Sequence, residues 1–454
     1  MGFGKVLLEI VEQGVPAAFE RFGQTLDAEW VSRALQMTGS ASIRKRKLPA
    51  QLLVWLVIGM ALFRDRSIHE VSAHLRLALP GEKGSPRKSS VVPSAITQAR
   101  ERLGWEPIEA IFRMTGEAWA QPTGRDYAWN GLLLYGTDGT TLRIPDTEEN
   151  EAEFGRPGTG RAQSGYPQVR LVTLMALATH ILRGAAIGSC RGKGTGELSL
   201  AKELWTQVPD YSLTIVDRGF ISWGLFWHLQ QSGEERHWLV RAKTNLRWTV
   251  LEDIGQGDQR VRVTFSKQSR AIDPSLPKTM ECRAIHYRVE GGKSQVLLTS
   301  MLDSDRYSAL ETAEVYHERW ELEIGYDEIK THMLEREETL RSRKPYGVRQ
   351  ETWGILLAYN LVRYKMLRLA ENAKLDPTRI SFTHSIRLIR LFCTITAWTS
   401  APSNLPRRLP DLDDMLPLLI LPERRSDRCY PRHVKITKNK YKRNPGRGAQ
   451  DVKK

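Results

Sequence analysis

Apolar positions recur at helical spacing through residues 19–37, 48–63, 68–79 and 94–103, and Gly39, Pro80-Gly81 and Gly104 break the runs. This predicts an all-helical N-terminal region over residues 1–128. From Gly131 the period changes. Residues 132–144 read as a strand interrupted by glycines, 145–165 as an acidic, glycine-rich loop, and 169–178 and 181–187 as two more strands. A short helix at 197–205, a buried strand at 212–216 and a helix at 223–229 follow, which together predict a mixed α/β sheet. Residues 246–305 turn β-rich and irregular, with strand candidates at 261–265, 282–289 and 295–299 and no helix of any length. Helices resume near Tyr307 and include 351–369.

One helical stretch carries chemistry as well as pattern. Tyr316, Arg319, Glu323 and Lys330 stand at offsets of three, four and seven, which at about 100° per residue gathers them within a sector of roughly 60°. Val315, Leu322, Tyr326, Ile329 and Met333 form the neighbouring apolar stripe, able to dock on a core. Glu318, Glu321 and Glu328 point elsewhere, while Asp327, one turn past Glu323, competes for the same face. A carboxylate flanked by phosphate-binding side chains is what metal-assisted phosphodiester chemistry requires.

Two aspartates precede it. Asp138 lies on the first strand of the α/β region between glycines, and Asp217 closes the buried strand 212–216, at the edge where open α/β sheets place ligands. Each alone has a blander reading: Asp-Gly after a strand is commonly a turn, and an Asp before a helix is commonly a cap. With Glu323 added, three carboxylates on separate elements can hold two divalent ions about 3.5–4 Å apart. An all-oxygen donor set suits Mg²⁺ better than zinc.

Composition narrows the partner. Of 454 residues, 67 are Lys or Arg and 52 are Asp or Glu, a net +15 that favours a polyanion such as nucleic acid. Residues 424–454 carry twelve Lys and Arg against Asp427 and Asp451, either a solvated tail or an arm for the phosphate backbone. An apolar fraction of 41% with 13 Trp argues for a real core. Cys190, Cys282, Cys393 and Cys429 form no CxxC pair, so neither zinc knuckle nor disulfide framework is indicated. His69 and His74 stand five apart, wrong for a zincin, and Gly192–Gly196 lacks a phosphate-loop ending. The apolar run at 52–63 is too short for a bilayer, and no secretory leader is visible, so a cytoplasmic protein is expected. Residues 94–103 admit two readings: a helix-turn-helix reader presenting Thr97, Gln98 and Arg100, or, more commonly, an ordinary amphipathic helix.

Taken together these residues resemble the DDE transposases of bacterial insertion sequences, the insertion sequence 4 family. Tyr316, Arg319, Glu323 and Lys330 meet its signature in full. Asp217-Arg-Gly-Phe220 meets the second-aspartate motif, and Asp138-Gly-Thr140 meets the first as a strand-turn-strand. Pro145-Asp-Thr147, Asn150, Phe154-Gly155, Gly196-Glu197 and Arg241-Ala-Lys243 are also family-like, and the likeness spans nearly the whole chain.

The resemblance implies a ribonuclease-H-like α/β catalytic core over 129–400 with a β-rich insertion at 246–305. An all-helical DNA-binding domain precedes it, and a basic tail at 401–454 follows. It implies two Mg²⁺ ions, with Mn²⁺ as a substitute, on Asp138, Asp217 and Glu323, and DNA contacts from Tyr316, Arg319 and Lys330. The partners would be the terminal inverted repeats and target DNA, bound by a homodimer in a synaptic complex near the nucleoid. The reaction would be cut-and-paste transposition through hairpin ends, with Trp248 a candidate for receiving a flipped base. The alternatives are a nuclease on the same fold that cuts without joining, and an inactive DNA-binding relic.

Overall fold

The computed structural model describes residues 26, 28–41, 48–74, 92–159, 162–192, 194–288, 294–335, 339–399 and 419–421, and the elements below belong to the unit ending at Ile420. The start of the first expected helix, the loop at 81–90 and the basic tail from 424 onward lie outside the described residues.

Ahead of the sheet stand the helices Ala28–Met37, Ala50–Leu62, Ile68–His74, Pro93–Leu103 and Glu106–Gly124. Ala50–Leu62 is apolar on every side and is buried on nearly every side. It packs on the long helix Pro345–Ala373, as does Glu106–Gly124, where Phe112 tilts against Trp353 at 5.3 Å and Trp119 stacks on Tyr364 at 4.5 Å. Arg100 is not presented to DNA as the helix-turn-helix reading required. It is 8% exposed and donates to Gln350 Oε1 at 2.8 Å on the long helix, because a buried guanidinium needs a partner. Thr97 and Gln98 do stay exposed.

The strands are β1 (Leu133–Arg143), β2 (Gly158–Thr159), β3 (Ala162–Gln163), β4 (Gln168–Ala176), β5 (Leu182–Ser189), β6 (Ser212–Val216), β7 (Arg236–Arg241), β8 (Thr249–Gly255), β9 (Asp258–Thr264), β10 (Thr279–Arg288) and β11 (Ser294–Thr299). Apart from the β2–β3 ribbon they form one sheet of nine, ordered β5-β4-β1-β6-β7-β11-β10-β9-β8. β4 and β5 add antiparallel on one side of β1, while β6 and β7 add parallel on the other. The β-rich region β8–β11 continues the same sheet through β7.

Two local expectations are corrected. The acidic "loop" contains the helix Glu148–Phe154, with Thr147 Oγ1 accepting from the Asn150 N–H at 3.3 Å. The acids that suggested a loop are first-turn residues, where the helix dipole favours them. The β-rich region also holds a helix, Lys267–Ile272, capped by Ser266, and an unforeseen strand, β8, whose seven residues are all exposed. A strand without a buried face leaves no alternation to read.

Candidate active site

β1 and β6 pair in parallel from Leu133↔Ser212 to Thr137↔Val216, and the next residues are Asp138 and Asp217. Two carboxylates thus arrive side by side on neighbouring strands. Strand side chains alternate between faces. A Cβ on Gly136 would lie 2.7 Å from Leu322 Cδ1, and on the other face Thr137 Oγ1 accepts from Trp205 Nε1 at 3.0 Å. Asp138 therefore shares the face of the helix Trp320–Asp327, and Gly139 that of Glu197–Trp205.

Neither bland reading of the aspartates holds. Asp138 sits mid-strand, opposite Thr173 of β4, with no turn and no strand-turn-strand at Asp138-Gly139. Gly139 makes room for another group: the Glu197 carboxyl carbon lies 2.4 Å from where its Cβ would stand. Asp217 precedes the 3₁₀ turn Arg218–Phe220, but its side chain makes no capping bond.

The segment expected to be one regular helix changes its winding twice. Tyr316–Arg319 is 3₁₀, Trp320–Asp327 is α, and Glu328–Met333 is π. The constant 100° per residue behind the 60° sector therefore fails, most of all at Lys330, which lies in the wide π turn. Of the apolar stripe, Val315, Leu322, Ile329 and Met333 are buried and Tyr326 is half-buried. Glu321 and Glu328 turn inward, away from Glu323. His180 Nε2 lies 2.7 Å from Glu321 Oε2, and Glu328 takes Arg363 and the Tyr359 hydroxyl, the latter at 2.8 Å. Asp327 accepts from Thr331 at 2.6 Å and pairs with His332 at 3.5 Å.

Electrostatics ties the outward residues to the strands. Burial pushes the Asp138 carboxyl up to about 6; the Gly139 N–H and Arg319 work against this, and Glu197 and Asp217 add to it. Burial likewise pushes the Tyr316 phenol up to about 12, with Arg319, Arg241 and Asp217 in its field. Arg319 Nη2 donates to Glu323 Oε1 at 2.9 Å and its guanidinium lies 5.5 Å from the Trp320 ring centroid. Asp138, Asp217 and Tyr316 thus lie in the field of Arg319, which pairs with Glu323, while Lys330 is half-buried about two turns past Glu323. Trp248 is half-buried and packs against the core. Glu197 and Arg241 were marked only as family-like, with no role; a further legible hint was Gly139, a glycine inside a strand, which signals close approach.

Among the described residues no three His, Cys, Asp or Glu side chains stand close enough to enclose an ion. The donor chemistry nonetheless fits a hard divalent cation: oxygen donors alone, with Asp138 short of positive partners and the Glu323 carboxylate 44% exposed.

A parallel strand pair thus ends one residue before two aspartates, and a later helical segment carries a glutamate paired with an arginine. Comparison with known proteins gives the family. Residues 16–113 match the family described as insertion element 4 transposase N-terminal, and residues 134–361 match the transposase DDE domain. Transposase InsG for insertion sequence element IS4 of Escherichia coli (strain K12) is 39% identical over 421 residues, covering 92% of each chain. InsZ of the same strain is 34% identical over 238 residues, 52% of this chain and 76% of that one. A piggyBac transposase synaptic complex with hairpin DNA, solved by cryo-electron microscopy, aligns over 90% of this chain and 86% of that chain at 13% identity and a TM-score of 0.44, too weak a likeness to bear on function. The chain belongs to the insertion element 4 family of DDE transposases. It is a DNA transposase, in a family that depends on divalent metal. No helix among the described residues is long and apolar enough to cross a membrane.

Proposed function

We propose that this transposase cuts at the ends of its insertion sequence and joins them to target DNA through the site around Asp138, Asp217 and Glu323. The observation that carries the reading is the register of β1 and β6, which ends one residue before both aspartates, with Arg319, the partner of Glu323, in the field of both. When bound, a pair of divalent ions, Mg²⁺ or Mn²⁺, supplies the Lewis acidity for in-line displacement at phosphorus. Asp138, Asp217 and Glu323 would hold them, Glu323 leaving Arg319 to do so. Arg319, so released, then faces DNA phosphate as a fork of donors, beside Tyr316 and Lys330. Water would cleave one strand at the element's end and free its 3′-hydroxyl, which attacks the opposite strand's phosphodiester to give a hairpin as the flanking 3′-oxygen leaves; water reopens the hairpin, and the regenerated 3′-hydroxyl attacks a target phosphodiester, whose 3′-oxygen leaves.

A ribonuclease-H-like arrangement is supported by the order of β1 and β4–β7, three antiparallel strands continued by two parallel ones. In this reading residues 1–128 bind DNA, 129–400 form the catalytic domain with its insertion at 246–305, and the tail from 401 tracks the backbone. Two copies would act on two inverted repeats. The test is Mg²⁺-dependent cleavage of duplexes carrying the element's own terminal repeats. Asp138→Asn, Asp217→Asn and Glu323→Gln should each abolish cutting, and the assignment fails if all three still cut. Joined products in a strand-transfer assay separate a transposase site from a nuclease that only cuts.

A further inference from the structure

Tyr326 belongs by spacing to the apolar stripe of its helix, yet its hydroxyl is enclosed among polar atoms. It donates to the main-chain carbonyl of Asp138 at 2.5 Å and lies 2.9 Å from Thr173 Oγ1. A phenol has one proton, so with that proton on the carbonyl, Thr173 is the donor in the second bond. Thr173 is itself the residue opposite Asp138 in the β1–β4 ladder. Burial first, and then the charge of Asp138, hold the phenol well above its ordinary value, so it stays a donor at any working pH.

The carbonyl that Tyr326 holds belongs to the peptide joining Asp138 to Gly139. The N–H of that same planar unit donates to Asp138 Oδ1 at 2.8 Å. One peptide plane is therefore gripped at both ends, by the Tyr326 hydroxyl on the carbonyl side and by the Asp138 carboxylate on the amide side. Rotating the plane would break both bonds and swing the carboxylate. Tyr326 lies three residues after Glu323, on the same α-helical segment. The segment seats closely at Gly325, where a Cβ would lie 2.9 Å from Met175 Sδ.

We infer that Tyr326 is a positioning residue that ties the orientation of the Asp138 carboxylate to the helix carrying Glu323, so that carboxylates from two separate elements face the metal site as one unit. The inference rests on the site proposed above. It assigns Tyr326 no contact with DNA or metal; its effect passes through Asp138.

Tyr326→Phe removes one oxygen and keeps the ring, so packing is preserved. In the full-length chain, single-turnover end cleavage should fall about 10- to 100-fold, as expected for a misplaced reacting group. Mn²⁺ binding to the DNA-free protein, read by electron paramagnetic resonance, should weaken several-fold. The melting temperature and the affinity for the terminal repeat should stay near those of the parent. Thr173→Val, which removes the second bond only, should move the same two readouts less. Asp138→Asn and Glu323→Gln run alongside. If both still cut, the site reading falls and the tie with it. If both are dead while Tyr326→Phe matches the parent in rate and Mn²⁺ affinity, the site stands and the tie is overturned. A collapse in melting temperature with unchanged Mn²⁺ affinity overturns it too, because the hydroxyl would then be merely structural.

Discussion

The helical segment from Tyr316 to Met333 presents two kinds of glutamate on its opposite sides. Facing inward, Glu328 is 7% exposed and is met by Arg363, the Tyr359 hydroxyl and His180, so its carboxyl is held well below the usual range, down to about 2: burial opposes this, and the Arg363 charge and the His180 bond outweigh it. Facing outward, Glu323 has Arg319, and its carboxylate is 44% exposed. Across from it Asp138 is shifted the other way, up to about 6. The carboxylates thus divide into a buried, compensated set that fixes the helix and an outward set, Glu323 on the helix and Asp138 on β1, of which Asp138 is under-compensated and can accept a cation. A buried charge must be paired to be tolerated; a site that is to bind metal must leave that pairing incomplete.

The largest break in this contrast is Glu323→Gln. Cleavage should drop on the order of 10³-fold or more, while thermal unfolding stays near that of the parent. A variant that cuts normally would place the third carboxylate elsewhere, with Asp327 the first substitute to examine. Glu328→Ala should do the reverse damage. It leaves Arg363 buried without its carboxylate, a loss of about 3–5 kcal/mol in denaturant unfolding. A loss below about 1 kcal/mol would show the inward set to be idle.

The contrast is sharpened by pH. Because the folded Asp138 value lies above the ordinary aspartate value of about 3.9, the fold favours its protonated form. Its contribution to stability is full below about pH 4 and is lost as pH rises through about 6. In divalent-free buffer Asp138→Asn should therefore be more stable than the parent at pH 7, by about 1–2 kcal/mol, and equal to it near pH 4. Melting curves at the two pH values check this, and a variant less stable at pH 7 refutes the under-compensation of Asp138. The smallest effect belongs to Lys330→Ala. Binding to terminal-repeat DNA should weaken a few-fold for all sequences alike, with the salt slope shallower by about 0.9, the value for one phosphate contact. An unchanged slope would remove Lys330 from the DNA surface.

Much of this division was legible beforehand. The offset of four between Arg319 and Glu323 separates this pair from Glu321 and Glu328, because residues four apart share a helix face, while Tyr316, set by spacing on the same face, is buried. The strand 212–216 and the helix 197–205 fall where the apolar pattern placed them. The misses share a cause. Exposed β8 has no buried face to leave a pattern, and the helix Glu148–Phe154 was hidden by acids that its own N-terminus favours. Arg100 looked like a surface cation because its partner, Gln350, lies 250 positions away.

What the sequence determined by itself is the local geometry and chemistry of each piece: an arginine and a glutamate one turn apart, an aspartate at a strand end, an apolar stripe beneath. What only the tertiary structure decided is which pieces meet. The parallel register that sets Asp138 beside Asp217, the Glu197 carboxylate lying against Gly139, and the Tyr326 hydroxyl on the Asp138 carbonyl all join residues 58 to 188 positions apart. Pattern reports a residue's own face and period, whereas hydrogen bonds and charges act across space on whatever the fold brings near.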